Sequence, residues 1–150
     1  AWGRLGEADR LHPKVALAAA RGYSRHDRGG EAAAILERSL EKRWEPALVL
    51  AYAECRAADP APQLEAAERW LAHHSQDATL LYALGRLCER ARLWGKAQTY
   101  YEASLALADH WRARVMLGSM LARLGRSSEA NVHLSSALEL ALAELGETAR

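Results

Sequence analysis

The stretch Leu84-Gly85 … Ala97 … Tyr101 … Ser104-Leu105 decides the fold, because it returns 33 residues later as Leu117-Gly118, Ala130, Leu134 and Ala137-Leu138. A fixed period of this length marks a stacked array of helical hairpins. One hairpin cannot bury its own apolar face, so neighbours stack and leave a long concave surface open. A binding or scaffold role is the first functional expectation.

Working outward, the composition suits one soluble domain: 150 residues, 50% hydrophobic and 26% charged, with a formal net charge of +1. Ala, Leu, Arg and Glu dominate, Phe is absent and β-branched residues are scarce, so helix is favoured nearly throughout and no strand is expected. No apolar run approaches the roughly 18 residues of a membrane span. The opening Ala1-Trp2-Gly3-Arg4 has neither an initiator Met nor the apolar core of a signal peptide, and reads as the start of a fragment. Near-neutral net charge gives no overall pull toward nucleic acid or anionic lipid.

Turn and cap residues divide the sequence into eight helices over about 13–27, 30–43, 45–58, 62–74, 78–91, 94–108, 110–124 and 128–144. Pro13 and Pro46 suit a first helical turn, and Asp77 and Ser127 or Ser128 suit N-caps. Arg28-Gly29-Gly30, Asp59-Pro60-Ala61-Pro62, Ser75-Gln76-Asp77 and Leu124-Gly125-Arg126 read as turns. The helices pair into four units over 13–44, 45–77, 78–110 and 111–144 of a single domain spanning 1–150. Small residues recur where two helices must approach: Ala20, Gly85 and Gly118 on first helices, and Ala32, Ala97 and Ala130 on second helices.

This pattern resembles the tetratricopeptide repeat, which implies an all-α, right-handed superhelical stack of about four hairpins. The second unit departs from it with Tyr52 in the small-residue place, and no Pro closes each unit. A longer string, Leu80-Leu81-Tyr82-Ala83-Leu84-Gly85-Arg86-Leu87-Cys88 continuing through Leu93-Trp94-Gly95-Lys96-Ala97, resembles the HemY proteins of proteobacteria. Glu68-Arg69-Trp70-Leu71 and Trp44 extend the match, which is densest over 64–107. The resemblance implies an N-terminal membrane anchor preceding this soluble region, inner-membrane association and a place in haem biosynthesis, while free cysteines lean slightly toward the cytoplasmic side. It implies a pathway, not a reaction. The unrelated flavin-dependent oxidase that shares the HemY name is excluded, since no G-x-G-x-x-G follows a strand here.

In such a stack the first helices line the concave side. Counting from unit starts at Pro13, Glu45, Ala78 and Trp111, the groove-facing places hold Lys14, Arg21, Arg25, Arg56, Arg86, Arg90, Arg112 and Arg123 against the single acid Glu89. Leu17, Val49, Tyr82 and Val115 supply apolar contacts between them. The second helices are predominantly acidic, so a near-neutral protein is expected to have a positive groove and a negative back. Arginine pairs carboxylates through two parallel bonds, which suits an acidic peptide, the free C-terminus of a polypeptide or the propionates of a porphyrin. The bland alternative weighs equally: arginines such as Arg86 and Arg90 form local helix pairs worth roughly 0.2–0.5 kcal/mol. No cofactor is expected, haem or protoporphyrin entering only as a ligand. The partners expected are a protein or peptide, including other proteins of haem biosynthesis, with no nucleic acid. Self-association is the remaining alternative.

Cys55 and Cys88 lie 33 residues apart at equivalent places and read as buried free thiols. No Cys/His spacing suggests a metal, and His73-His74 point about 100° apart on a helix. His26 and His110, near the ends of concave helices, are the two histidines worth testing against haem iron. Trp44, Trp94 and Trp111, near helix starts, are expected to wedge adjacent hairpins with their indole N–H groups on turn carbonyls. No nucleophile, base and orienting group share a catalytic spacing, so the expectation is a protein that is not an enzyme.

Overall fold

The computed structural model describes Gly6 and residues 12–148. It contains α1 (Pro13–Arg25), α2 (Gly29–Lys42), α3 (Pro46–Glu54), α4 (Ala61–His74), α5 (Ala78–Arg90), α6 (Trp94–Leu107), α7 (Trp111–Arg123) and α8 (Ser127–Thr148), with no strand among the described residues. Helices α1 and α2, α5 and α6, and α7 and α8 pack along one another as hairpins, and the first helices α1, α3, α5 and α7 stack in series. The order is that of an all-α repeat stack.

Three of the four hairpins turn identically. Asp27 (φ 61°), Arg92 (φ 59°) and Gly125 (φ 80°) each hold the left-handed position after a first helix. The next residue then donates back to the last turn: Arg28 N to Tyr23 O at 3.0 Å, Leu93 N to Cys88 O at 2.9 Å and Arg126 N to Leu121 O at 2.9 Å. This 6→1 bond satisfies carbonyls that the helix end leaves free. The sequence pattern points to glycine at such turns, yet only Gly125 obeys it. Gly29 and Gly30 sit inside α2, past the turn.

The second unit is built differently. Its first helix stops at Glu54 instead of continuing to 58, and Cys55 is extended (φ −69°, ψ 126°). The Arg90 guanidinium reaches across from α5 and donates to Cys55 O at 2.7 Å and to Ala53 O. A cation thus caps the α3 C-terminus, where it also meets the negative end of the helix dipole. The α3 and α4 backbones stand further apart than in the other pairs, with the rings of Tyr52 and Trp70 between them at 4.9 Å. Gln63 Nε2 donates to Tyr52 O at 2.8 Å across the same gap.

Helix α3 starts at Pro46, one residue later than the unit boundary placed at Glu45. Pro at the first helical position requires no N–H and sets this start. The shift corrects three expectations. Val49 turns into the core at 0% exposure and Leu50 takes its place on the concave side. Ala53, fully buried, becomes the small residue of the second unit, so Tyr52 is not in that place. Cys55 and Cys88 consequently lose their equivalence; both are free and buried.

Core packing explains the small residues. A Cβ built on Gly85 would lie 2.5 Å from Cδ1 and Cε1 of Tyr101, and one on Gly118 would lie 2.8 Å from Cγ of Leu134. Close approach of the paired helices requires the absence of a side chain there. A continuous apolar core runs through all four units, from Ala20 and Leu36 through Leu48, Leu80, Leu84 and Leu87 to Leu117 and Leu121. Burial of this surface is the main term holding the stack together.

Candidate functional site: a concave groove across the four units

An open groove of about 700 Å³ runs along the first helices. Its floor is apolar, built by Leu17 of α1, Leu50 of α3, Tyr82 of α5, and Val115 and Met116 of α7. Arg21 and Arg25 of α1, Arg86 of α5 and Arg112 of α7 supply its cations, and Glu54 its acid. Residues one helical turn apart share a face, which is why Arg21 and Arg25 stand together above Leu17.

The predicted basic residues divide into three groups. Arg86 is tied down: its Nη1 lies 2.8 Å from Glu54 Oε1 and 3.2 Å from Tyr82 Oη, and its side chain is only 13% exposed. Arg90 is spent on the α3 carbonyls, and burial among neighbouring arginines lowers its pKa. Arg123 pairs with Glu89, whose other oxygen accepts from Tyr101 Oη at 2.8 Å. These pairs join α3 to α5 and α5 to α7, so they link neighbouring units and are part of the stack. Lys96 with Glu68, and Arg126 Nη1 with Gln98 at 2.7 Å, link units on the opposite side.

Arg21, Arg25, Lys14 and Arg56 form the second group. Their side chains are exposed and have no hydrogen bond or ion pair among the described residues. Arg56 and Lys14 lie outside the groove lining, whereas Arg21 and Arg25 lie within it. Arg112 has no carboxylate partner among the described residues: its Nη1 is 3.2 Å from His110 Nε2, and its guanidinium stands 4.8 Å from the Trp111 ring centroid. The groove therefore presents uncompensated positive charge at its α1 and α7 ends and a neutralised pair, Arg86 with Glu54, between them.

The two histidines considered for iron lie at the ends of first helices. His110 is the N-cap of α7, its Nδ1 accepting from Arg112 N at 3.1 Å, and burial together with Arg112 lowers its pKa. His26 is exposed at the C-cap of α1. His74 stacks on Trp44 at 3.7 Å. Two of the three indoles reach carboxylates, not turn carbonyls: Trp44 Nε1 donates to Asp77 Oδ2 at 2.8 Å and Trp111 Nε1 to Glu144 Oε2 at 2.7 Å, while Trp94 is 36% exposed and has no hydrogen bond among the described residues. Asp77 is also the N-cap of α5, accepting from Leu80 N at 3.1 Å. Burial pushes the thiols of Cys55 and Cys88 up to about 11, so both are protonated at neutral pH and are poor nucleophiles. Among the described residues no group of three His, Cys, Asp or Glu side chains converges as a metal site, and no helix is long and apolar enough to cross a membrane.

Leu50, Ala51, Glu54, Trp111 and Met116 line the groove without having been expected there. The signal that finds Leu50 and Glu54 is Pro46, whose place at the helix start shifts the register of α3 by one residue.

The fold is a helical repeat stack of the tetratricopeptide type. Solved structures share it at low identity. The sequence is 18% identical to a crystal structure of MamA, with a TM-score of 0.65, covering 97% of this protein and 88% of that one. A second MamA structure, from MSR-1, gives 16% identity and a TM-score of 0.62 over 95% of this protein and 84% of that one. MamA from Desulfovibrio magneticus RS-1 gives 17% and 0.60 over 90% and 78%. No family model matches the sequence, and no curated protein matches it.

Proposed function

We propose that the protein is a non-enzymatic binding domain whose concave groove takes an acidic, partly apolar segment of a protein partner. The observation that supports this reading is the pair Arg21 and Arg25, exposed beside an apolar floor and without a carboxylate of their own among the described residues. Guanidinium groups that already hold an ion pair must give it up to bind a ligand, and these two do not. They pair carboxylates in fixed bidentate geometry, while Leu17, Leu50 and Val115 take apolar side chains between the charges.

The test is a fluorescence-anisotropy titration with a labelled peptide alternating Asp or Glu with Leu. Binding that weakens with salt and is lost in R21A/R25A, but persists in R56A, supports the reading. Binding indifferent to Arg21 and Arg25 refutes it.

A role in haem biosynthesis, inner-membrane association and a porphyrin ligand are proposed from the resemblance of residues 64–107 to the HemY proteins. The same arginine pair is suited to two propionates. Titration with haem and with metal-free protoporphyrin, read by tryptophan quenching and Soret absorbance, separates this ligand from the peptide: saturable binding lost in R21A/R25A favours it, and its absence leaves the protein segment.

A further inference from the structure

The last helix carries an apolar stripe that the described residues leave largely uncovered, although Leu134 at its start also packs on Gly118 of α7. On α8, Leu134, Leu138, Leu142 and Leu145 are 36%, 61%, 58% and 66% exposed. They follow one another at three- and four-residue steps and form a single stripe about 16 Å long at 1.5 Å rise per residue. In the first unit the corresponding positions, Leu36 and Leu40, are 0% and 4% exposed, because the next unit packs on them. Helix α8 therefore has an interface-type face without its partner.

Charge identifies the occupant. Residues 127–148 contain Glu129, Glu139, Glu144 and Glu147 and not one Lys or Arg. Glu139 and Glu147 are exposed and have no partner among the described residues. Two α8 helices face to face would set like charges against each other. The edge of the groove has the opposite character: Lys14, Arg21 and Arg25 share one side of α1, span the same 11 residues of helix and lack acidic partners among the described residues, with Leu17 alongside.

We propose that the α8 face of one copy docks against the α1 end of the groove of a second copy, so that the protein is its own acidic, apolar ligand. The inference rests on the groove reading given above. The contact is head to tail, each copy using two different surfaces, so it propagates beyond a dimer into a closed ring or an open filament.

The experiment is sedimentation velocity on the protein from micromolar to millimolar concentration, with two variants that alter exposed residues only: L138K/L142K on α8 and R21E/R25E on α1. The wild type is expected to gain mass with concentration, and each variant alone is expected to associate at least about tenfold more weakly, as loss of charge complementarity implies. An equimolar mixture of the two variants is expected to associate more strongly than either variant alone, since the unaltered α8 of one meets the unaltered α1 of the other. A wild type that stays monomeric, association that survives R21E/R25E, or a mixture that stays monomeric overturns the proposal. The L138K/L142K variant keeps its groove, and its titration with the acidic peptide scores the groove reading separately: peptide binding by a protein whose wild type is monomeric sinks self-docking alone.

Discussion

Replacing Gly85 with alanine puts a methyl carbon 2.5 Å from Cδ1 and Cε1 of Tyr101. Tyr101 has no free end to swing away: it is fully buried, and its hydroxyl donates to Glu89 at 2.8 Å. Three terms decide the outcome. Alanine in a helix interior gains about 1 kcal/mol over glycine. Overpacking a tight contact costs about 1–3 kcal/mol. Displacing the phenol from the Glu89 carboxylate forfeits a hydrogen bond to a charged group, worth about 1.5–3 kcal/mol. Packing wins, and a net loss of about 2–3 kcal/mol is expected, which for 150 residues corresponds to a fall of roughly 5–10 °C in Tm. The assay is thermal denaturation followed by circular dichroism, with Gly22→Ala as the control. Gly22 lies within α1, and a Cβ there meets nothing within 4 Å, so that variant is expected to gain up to about 1 kcal/mol. A Gly85→Ala protein as stable as the wild type would falsify the account of how α5 and α6 pack. A Gly85→Ala/Tyr101→Leu double variant is expected to lose less than the sum of its single changes, because the smaller side chain relieves the clash.

Arg90→Met removes the cation that caps α3 and leaves the carbonyls of Ala53 and Cys55 without that donor. A loss of about 2–3 kcal/mol is expected in urea unfolding, whereas exposed Arg25→Met should stay within about 0.5 kcal/mol. Equal losses would reverse the division between stack-building and free arginines. Asp77→Ala takes away both the α5 N-cap and the acceptor of the Trp44 indole, and should cost about 2 kcal/mol with a shift in tryptophan emission. Asp77→Asn keeps an acceptor and is expected to recover much of that loss. Burial, reinforced by Glu37 and Glu89, raises the pKa of Tyr52 and Tyr101 well above 10. Their contribution is fully present below the ordinary tyrosine pKa and is lost as pH rises above it toward the native values, at about 1.4 kcal/mol per pH unit for each ring. Stability measured between pH 8 and 11 should thus be flat and then fall steeply, and Tyr101→Phe should make the fall shallower.

Eight helices were legible from turn and cap residues such as Pro13, Pro46 and Asp77, and the repeat character from the recurrence of Gly85 and Gly118 and of Ala97 and Ala130, because small residues at a fixed period are what close helix packing demands. The first and third turns were less legible. Asp27 and Arg92 adopt a backbone that glycine prefers, and a single residue's type does not reveal that the hydrogen bond behind it will hold it there. The groove was legible as a basic face but not as a set of free charges. Arg86, Arg90, Arg112 and Arg123 were all read onto the concave face of their helices, yet Glu54, two backbone carbonyls, His110 and Glu89 give them different partners.

Helix content, the 33-residue period and the opposite charge of first and second helices come from the order of residues alone, since helical periodicity and side-chain type are local properties. Which arginines remain available, where α3 ends, and why Leu138 and Leu142 are uncovered were decided only by the tertiary structure. Ion pairs across units, the cap that Arg90 supplies from 35 residues away and the burial of a helix face each depend on which distant side chain arrives at a given place. Spacing along the sequence does not specify that until the units have stacked.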